Sequence, residues 1–248
     1  MKPNIHFLSY ADDRFGRKGG RYRQTQIAVA ELMLAHPDIA DVLSFTQDDL
    51  TGTEFYEKHK DLLEKGITQA AGNMQKPFFV RKALGMVPEN SYVLYHDISA
   101  EIWDLNLDYI QWPLRLHARM CDQNEGVLLA NAGQDATYCL HRHYTSPTCM
   151  RLMQVERFKD CVQECASWVL FRNSPSVRNL VDEWLAYNTN EDCASYLKNK
   201  LVDQSMEPEF IEHRGDQSIL TLLLRKYQLT NLMETPHKNV FSVYWAGL

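Results

Sequence analysis

Short apolar runs alternate along the chain with longer segments in which apolar residues recur every three or four positions. The short runs combine aliphatic, β-branched and aromatic residues, which is typical of buried strands. They predict strands at residues 4–10, 41–46, 91–96, 126–131 and 167–173, with a further one near Leu229 to Met233. The longer segments predict helices at residues 22–35, 76–87, 174–187 and 216–227.

The helix predicted at residues 174–187 has the clearest pattern. Ser174 is a favourable N-cap residue, and Pro175 stands in the first turn, where proline is tolerated. Because the strands are apolar on both faces and helices separate them, the chain is predicted to adopt an α/β fold. We expect a mostly parallel sheet covered by helices on both faces. No proline- or serine-rich linker divides the sequence, so we expect a single domain over residues 1–248.

Composition narrows the class of protein. The 248 residues carry a formal net charge of −6, which disfavours general nucleic-acid binding through a basic surface. The segment MKPNIHFLSYADD lacks the long apolar region and cleavage site of a signal peptide, and no apolar run reaches the length of a membrane span. We therefore expect a cytoplasmic protein, whose six scattered cysteines are thiols rather than disulfides or zinc ligands.

A basic, glycine-rich stretch lies between the first predicted strand and the first predicted helix. It reads RFGRKGGRYR, and its basic residues are Arg14, Arg17, Lys18, Arg21 and Arg23. Glycine-rich loops with positive charge commonly bind phosphate, so the stretch is consistent with an anionic ligand. A solvated loop without a ligand explains the same composition equally well, and both alternatives stay open.

Ligands of parallel α/β sheets lie beyond the carboxyl ends of the strands, which directs attention to three segments. They are Ser9 to Asp13, Thr46 to Asp49 and His96 to Glu101. In the third segment, Asp97 and Glu101 offer hard oxygen atoms that suit a divalent ion bound to a diphosphate. Ser99 stands where a second acid would complete an Asp-x-Asp pair, so the alternative is a strand that ends in a solvated acid.

Cationic side chains stand at the starts of two predicted helices, where the helix dipole is positive. Lys76 begins one helix, and His213 and Arg214 precede the helix that Asp216 and Gln217 open. Cations are unfavourable there unless an anion lies between them and the helix, so the pattern predicts a bound phosphate. Alternatively, Lys76 is a surface lysine and Asp216 is an ordinary N-cap residue.

The remaining polar clusters favour structural roles. The HRHY segment at 141–144 is expected to form a loop or an edge strand rather than a metal site, and Asp12–Asp13 and Asp48–Asp49 are expected to be turn residues. The sequence contains no G-x-S-x-G, P-loop, H-E-x-x-H or G-x-G-x-x-G motif. The markers of common hydrolases, P-loop kinases, zinc proteases and dehydrogenases are therefore missing.

Several sequence segments follow one another in a characteristic order. They are KPFFVRKAL at 76–84, YVLYHDIS at 92–99, ECASWVLFRN at 164–173 and HRGDQS at 213–218. Their order resembles that of the GT-A fold glycosyltransferases, in particular bacterial sugar transferases of lipopolysaccharide and capsule clusters. The resemblance extends from Ile5 to about Leu229, and KPFFVRKAL and HRGDQS are its most specific parts. It implies a single Rossmann-like GT-A domain that transfers a hexose from a nucleotide-sugar donor to a saccharide or lipid-linked acceptor in surface polysaccharide synthesis.

The resemblance also implies roles for individual residues. The catalytic residues would be Asp216, Gln217 and Asp97. The donor-binding residues would be Ser9, Tyr10, Arg21, Lys76, Asp97, His213 and Arg214. The ligands of a divalent cation, Mn²⁺ or Mg²⁺, would be Asp97, Glu101 and His213. Because Ser99 replaces the second acid, metal dependence stays open, and the Asp-Gln pair favours a retaining reaction.

The expected partners are the nucleotide-sugar donor and the saccharide or lipid-linked acceptor, with no nucleic acid. Membrane contact would be at most peripheral, at the inner face of the plasma membrane. Two other functions stay open. One is a non-catalytic nucleotide-sugar or carbohydrate-binding protein that has lost metal chemistry at Ser99. The other is a sugar nucleotidyltransferase, which the segment RFGRKGGR after the first strand partly fits.

Overall fold

The computed structural model describes residues 3–15, 22–69, 74–98, 113–130, 139–194 and 199–229. Its strands are β1 (Ile5–Ala11), β2 (Ile39–Thr46), β3 (Tyr92–His96), β4 (Val127–Ala130) and β5 (Cys165–Arg172). Its longer helices are α1 (Tyr22–Ala35), α3 (Glu54–Gln69), α4 (Gln75–Met86), α5 (Leu114–Gln123), α8 (Pro175–Asn188) and α11 (Asp216–Lys226). The shorter helices are α2 (Gln47–Leu50), α6 (His141–Tyr144), α7 (Pro147–Leu152), α9 (Glu191–Ala194) and α10 (Lys200–Met206).

The strands and helices predicted inside these ranges are confirmed, with small differences at their ends. The Ser174 hydroxyl accepts the Val177 N–H at 3.3 Å, so the predicted N-cap of α8 is confirmed as well. The strand predicted near Leu229 to Met233 lies almost wholly outside the described residues. None of the helices in the described ranges has the length and apolar character that a membrane span needs.

The prediction of a loop or edge strand at HRHY is wrong, since these residues form the short helix α6. The Thr145 N–H donates to the His141 carbonyl at 2.8 Å, and the Tyr144 N–H donates to the Leu140 carbonyl at 3.3 Å. His141 is buried and its Nδ1 lies 2.8 Å from the Thr145 hydroxyl. A single helical turn closed by these local bonds has no apolar periodicity of its own, so the sequence pattern does not reveal it.

The described residues form two compact units. The first draws on residues within 1–58, 79–128 and 167–179, and the second on residues within 59–78, 129–166 and 180–248. Each unit therefore combines distant parts of the chain, which is why the sequence shows no linker between them. The expectation of a single domain over residues 1–248 stays a prediction.

The five strands form one sheet in the order β2-β1-β3-β5-β4. Strand β1 pairs in parallel with β2 and with β3, whereas β5 pairs antiparallel with β3, with Tyr92 opposite Arg172 and His96 opposite Trp168. The chain is therefore α/β with a mixed sheet, and the expectation of a mostly parallel one needs this correction. A strand buried on both faces has the same apolar pattern whichever way it runs, so the sequence does not reveal the direction of β5.

Helices cover both faces of the sheet at β1. Successive side chains of a strand point to opposite faces. The Ser9 hydroxyl accepts a hydrogen bond from Gln26 of α1 at 3.1 Å, and the Tyr10 ring stacks on Phe79 of α4 with centroids 4.9 Å apart. Phe79 also stacks on Phe45 of β2, at 4.7 Å. Helices thus cover both faces of the sheet around β1, as predicted. The end of β1 is the first of the three candidate ligand positions.

Candidate functional site

In the first unit, a buried carboxylate follows the end of β1. Asp12 accepts the backbone N–H of Arg14 at 3.0 Å, which confirms the predicted turn role. It also accepts the Tyr10 hydroxyl at 3.0 Å and the Arg14 guanidinium at 2.7 Å. Burial raises the pKa of Tyr10, and the Asp12 charge raises it further, so the phenol stays protonated and donates. This geometry holds the Arg14 guanidinium, which is 31% exposed, at the carboxyl edge of β1.

Ser9 and Tyr10, both predicted to bind the donor, lie inside this unit. Ser9 is 1% exposed and Tyr10 is 8% exposed. The Gln26 amide donates to the Ser9 hydroxyl and, at 2.9 Å, to the Phe45 carbonyl, while Arg23 donates to the Gln26 oxygen at 2.5 Å. These contacts join α1 to the ends of β1 and β2. Ser9 and Tyr10 are therefore buried residues that pack beneath the carboxyl edge of the sheet. A direct role for them in donor binding stays a prediction.

Asp97 follows β3 at the same edge of the sheet as Asp12, because β1 and β3 are neighbouring parallel strands. The Asp97 N–H donates to the Ser167 carbonyl at 2.8 Å, and its carboxylate accepts the Tyr95 hydroxyl at 2.8 Å. The residue is half-buried. Asp97 thus has the position that the sequence predicted for it, at the carboxyl end of a buried strand.

Three residues of the predicted site lie outside the described ranges. They are Arg21 in the basic loop, Glu101 among the predicted metal ligands, and Ser99 at the position of the missing second acid. The predictions that rest on them stay predictions.

In the second unit, Lys76 and Asp216 form a buried ion pair. The Lys76 ammonium lies 2.6 Å from the Asp216 carboxylate, and both side chains are 4% exposed. The same ammonium donates to the Ala166 carbonyl at 3.2 Å. Each residue lies in the first turn of its helix, α4 and α11 respectively. Lys76 is therefore not a surface lysine. The anion beside it is the Asp216 carboxylate, whereas the sequence pattern had predicted a bound phosphate.

Gln217, the neighbour of Asp216, is hydrogen-bonded at both ends of its amide. Its oxygen accepts the Ala166 N–H at 3.2 Å, and its nitrogen donates to the Gln163 oxygen at 2.7 Å. Gln163 is fully buried, whereas Gln217 is partly exposed. No local sequence pattern singles out Gln163, because its role arises from contact with a helix 54 positions away in the chain.

His213 is a neutral, internal residue rather than the cation that the sequence argument assumed. It is 5% exposed, and its Nδ1 accepts the Ser146 N–H at 3.1 Å. Burial lowers the pKa of His213 to about 4, although the Cys193 backbone opposes this shift. Because the ring is uncharged at neutral pH, it creates no unfavourable interaction with the dipole of α11. The charge argument for a phosphate beside His213 is therefore wrong.

Arg214 retains a partly exposed guanidinium beside the start of α11. The group lies 3.7 Å from the centroid of the Tyr144 ring and 3.3 Å from the Glu212 carboxylate, and the side chain is 34% exposed. Its backbone N–H donates to the Ser218 hydroxyl at 3.1 Å. Among the predicted donor-binding cations with described side chains, Arg214 is the one best placed to meet a ligand from solvent.

One of the three predicted metal ligands, Glu101, lies outside the described residues, so the predicted metal site stays a prediction. Across the part of the chain with described structure, no group of three or more His, Cys, Asp or Glu side chains could hold a metal ion. One ring nitrogen of His213, a predicted ligand, already accepts a backbone N–H. A role for Mn²⁺ or Mg²⁺ stays a prediction.

Comparison with known proteins was made at three levels. No protein-family model, no curated protein and no solved structure matches the chain. The resemblance to GT-A glycosyltransferases therefore rests on the sequence segments at 76–84, 92–99, 164–173 and 213–218.

Proposed function

We propose that this chain is a hexosyltransferase that uses a nucleotide-diphosphate sugar as its donor. The observation that carries the proposal is the position of Asp97 at the carboxyl end of β3. Strand β1 has β2 on one side and β3 on the other, so the order in which strands join the sheet reverses at β1. In open α/β sheets, ligands bind beyond the carboxyl ends of the strands at such a reversal.

The polar groups at this edge suit a nucleotide. A carboxylate just beyond a strand can accept hydrogen bonds from ribose hydroxyls, and Asp97 is half-buried and held by Tyr95. Arg14, fixed by Asp12, contributes a partly exposed cation at the end of the adjacent strand. We propose that Asp97 binds the ribose and that Arg14 favours the negatively charged diphosphate.

We propose that Gln217 and Asp216 serve the transfer step, with the roles that the resemblance implies. The bond between the sugar C1 and the diphosphate oxygen breaks, and its electron pair leaves with the diphosphate. A bond forms between C1 and the acceptor oxygen, and the acceptor proton passes to an oxygen of the leaving diphosphate. This route retains configuration at C1. Gln217 is partly exposed, so it is the member of the pair that contacts the sugar and supports the oxocarbenium-like state, whereas Asp216 is buried and its charge is paired with Lys76.

The departing diphosphate needs positive charge as it forms. At the carboxyl edge of β1 this charge comes from Arg14. The resemblance implies Arg214 as a further donor-binding cation, and that role stays a prediction. Arg21 keeps the role that the resemblance gives it, as a prediction. Surface polysaccharide synthesis, with a saccharide or lipid-linked acceptor, is the wider context that we propose.

The first test is binding. Melting temperatures are measured with uridine, guanosine and cytidine diphosphates and their hexose conjugates, each with and without Mn²⁺. We expect at least one nucleotide to raise the melting temperature, since a ligand that binds only the folded state stabilises it. The absence of any shift would overturn the proposal. A shift that needs Mn²⁺ would in addition support the predicted metal dependence.

The second test uses a matched pair of aspartates. Asp97 accepts the hydroxyl of Tyr95, and Asp122 accepts the hydroxyl of Tyr92, the first residue of the same strand, at 2.9 Å. We expect Asp97→Asn to weaken binding of the nucleotide by roughly tenfold, the loss typical of a hydrogen bond to a charged group. Asp122→Asn should bind as the wild type does. Equal effects of the two changes would exclude the edge of β3 as the nucleotide site.

The third test separates a transferase from a non-catalytic binding protein. The donor that binds is incubated with saccharide and lipid-linked acceptors, and released nucleoside diphosphate is quantified by chromatography. Binding without turnover, unaffected by Asp216→Ala, would favour the non-catalytic alternative. Where turnover is found, NMR of the product shows whether the configuration at C1 is retained.

A further inference from the structure

We infer that Gln163 and Lys76 are positioning residues that hold Gln217 and Asp216 in their working orientation. The inference rests on the proposed function, which gives the Asp-Gln pair its role in transfer. It differs from the role implied by resemblance, in which Lys76 binds the donor diphosphate. Nothing in the sequence pattern pointed to Gln163.

The amide of Gln217 is fixed at both ends by groups of the second unit. Its oxygen accepts the N–H of Ala166 at 3.2 Å, and its nitrogen donates to the oxygen of Gln163 at 2.7 Å. A backbone N–H can only donate, so the Gln217 oxygen must face Ala166. The nitrogen keeps one further N–H, which is the group that Gln217 can present to a substrate.

The orientation of Gln163 is fixed in turn. Its nitrogen has two N–H groups to donate, and three acceptors lie within hydrogen-bond distance of it: the Tyr144 carbonyl at 3.2 Å, the Thr145 hydroxyl at 3.1 Å and the Ser218 hydroxyl at 3.0 Å. A carbonyl can only accept, so the nitrogen of Gln163 must face Tyr144 and its oxygen must face Gln217. Gln163 is 0% exposed, and water cannot replace these bonds. The Tyr144 carbonyl thus fixes the orientation of the Gln163 amide, and the Gln163 oxygen in turn accepts a hydrogen bond from the nitrogen of Gln217.

Lys76 acts on Asp216 through the same segment of β5. Its ammonium donates to the Ala166 carbonyl at 3.2 Å and lies 2.6 Å from the Asp216 carboxylate. Ala166 therefore uses its N–H to hold Gln217 and its carbonyl to hold the lysine that pairs with Asp216. Because Lys76 is 3% exposed and directs its charge at Asp216, it orients this carboxylate rather than contacting a diphosphate.

The two roles of Lys76 predict different kinetics. A residue that binds the diphosphate raises KM for the donor and Kd for the nucleoside diphosphate when it is removed. A positioning residue lowers kcat and leaves both constants near their wild-type values, because it acts on groups that stabilise the transition state. The same distinction holds for Gln163, which lies too deep to touch a ligand.

The test compares Gln163→Met and Lys76→Met with Lys226→Met. The control removes a lysine of the same unit that also pairs with a carboxylate, Glu183, at 2.7 Å, but at the other end of α11. For each protein, kcat and KM are measured with the donor found in the binding screen. Calorimetric titration with the nucleoside diphosphate gives Kd and the fraction of molecules able to bind, which detects any unfolded protein.

We expect Gln163→Met and Lys76→Met to lower kcat at least tenfold, with KM and Kd within threefold and full binding stoichiometry. Lys226→Met should keep wild-type values. Turnover by the wild type with kcat unchanged in Gln163→Met would overturn the inference and leave the proposed function standing. A tenfold rise in Kd for Lys76→Met would make Lys76 a diphosphate ligand instead. Absence of turnover in the wild type would overturn the proposed function, and this inference with it.

Discussion

The ion pair between Lys76 and Asp216 makes a quantitative prediction about stability. The charged atoms are 2.6 Å apart and both side chains are 4% exposed. With an effective dielectric constant of about 20, the attraction at this distance is about 6 kcal/mol. Moving each charge out of water costs several kcal/mol, so the intact pair contributes little net stability. Lys76→Met removes the attraction and leaves the Asp216 charge buried, and we expect a loss of about 3–5 kcal/mol in the free energy of unfolding.

The assay is urea unfolding followed by tryptophan fluorescence. Trp184 is a local reporter, because its indole N–H donates to the Asp216 carbonyl at 3.0 Å. The cycle consists of the wild type, Lys76→Met, Asp216→Leu and the double variant. The double variant has no buried charge, so it should recover most of the loss and lie within about 2 kcal/mol of the wild type.

Lys226→Met is the control for the loss of a lysine. Its pair with Glu183 is 2.7 Å long, close to the 2.6 Å of the buried pair, but the two side chains are 33% and 23% exposed. A solvent-exposed pair is worth less than about 1 kcal/mol, so this variant should unfold close to the wild-type midpoint. The reasoning is refuted if Lys76→Met costs no more than Lys226→Met. It is also refuted if the double variant loses the sum of the two single losses.

Two further predictions concern His213 and a pair of glycines. Burial lowers the pKa of His213 from 6.5 to about 4, so its neutral ring supports the fold above pH 6.5, and this stability is lost as pH falls toward 4. The free energy of unfolding is measured in urea at pH 7 and at pH 4.5 for the wild type and for His213→Gln, in which the glutamine can still accept the Ser146 N–H. The decrease between the two pH values should be about 2–3 kcal/mol smaller in the variant. Equal decreases in both proteins would contradict the assignment. Gly126 has φ of +98°, and an added Cβ would lie 2.8 Å from Cγ2 of Val177, so Gly126→Ala should cost about 1–3 kcal/mol. Gly85→Ala is the matched control in α4, where no atom lies within 4 Å, and should raise the melting temperature through a gain of up to about 1 kcal/mol; a loss there would show that the steric argument is incomplete.

Local patterns were sufficient for the five described strands, for four of the six longer helices in the described residues and for one site position, but they did not reveal α3 or α5. The apolar run that ends at His96 forms β3, and Asp97 follows it as predicted. Ser174 caps α8, and the serine and proline at its start indicated this directly. These features depend on neighbours within a few positions, which determine backbone preference and the face that is buried.

Charge was predicted less well, because its effect depends on contacts across the chain. The sequence places Lys76 and His213 at helix starts but does not show what faces them. In the folded chain Lys76 meets a carboxylate 140 positions away, and His213 loses its charge through burial. Neither residue therefore requires a phosphate: Lys76 is paired with a carboxylate, and His213 is neutral.

Sequence patterns alone were enough for the α/β class, the five described strands, four of the longer helices and the placement of Asp97 beyond a buried strand. Periodicity and turn chemistry are local, so a single chain segment carries them. Three features became visible only in the folded chain: β5 runs antiparallel to β3, Lys76 pairs with Asp216, and Gln163 holds Gln217. Strand direction, ion pairing and side-chain hydrogen bonds depend on distances between residues far apart in the sequence, and folding alone sets those distances.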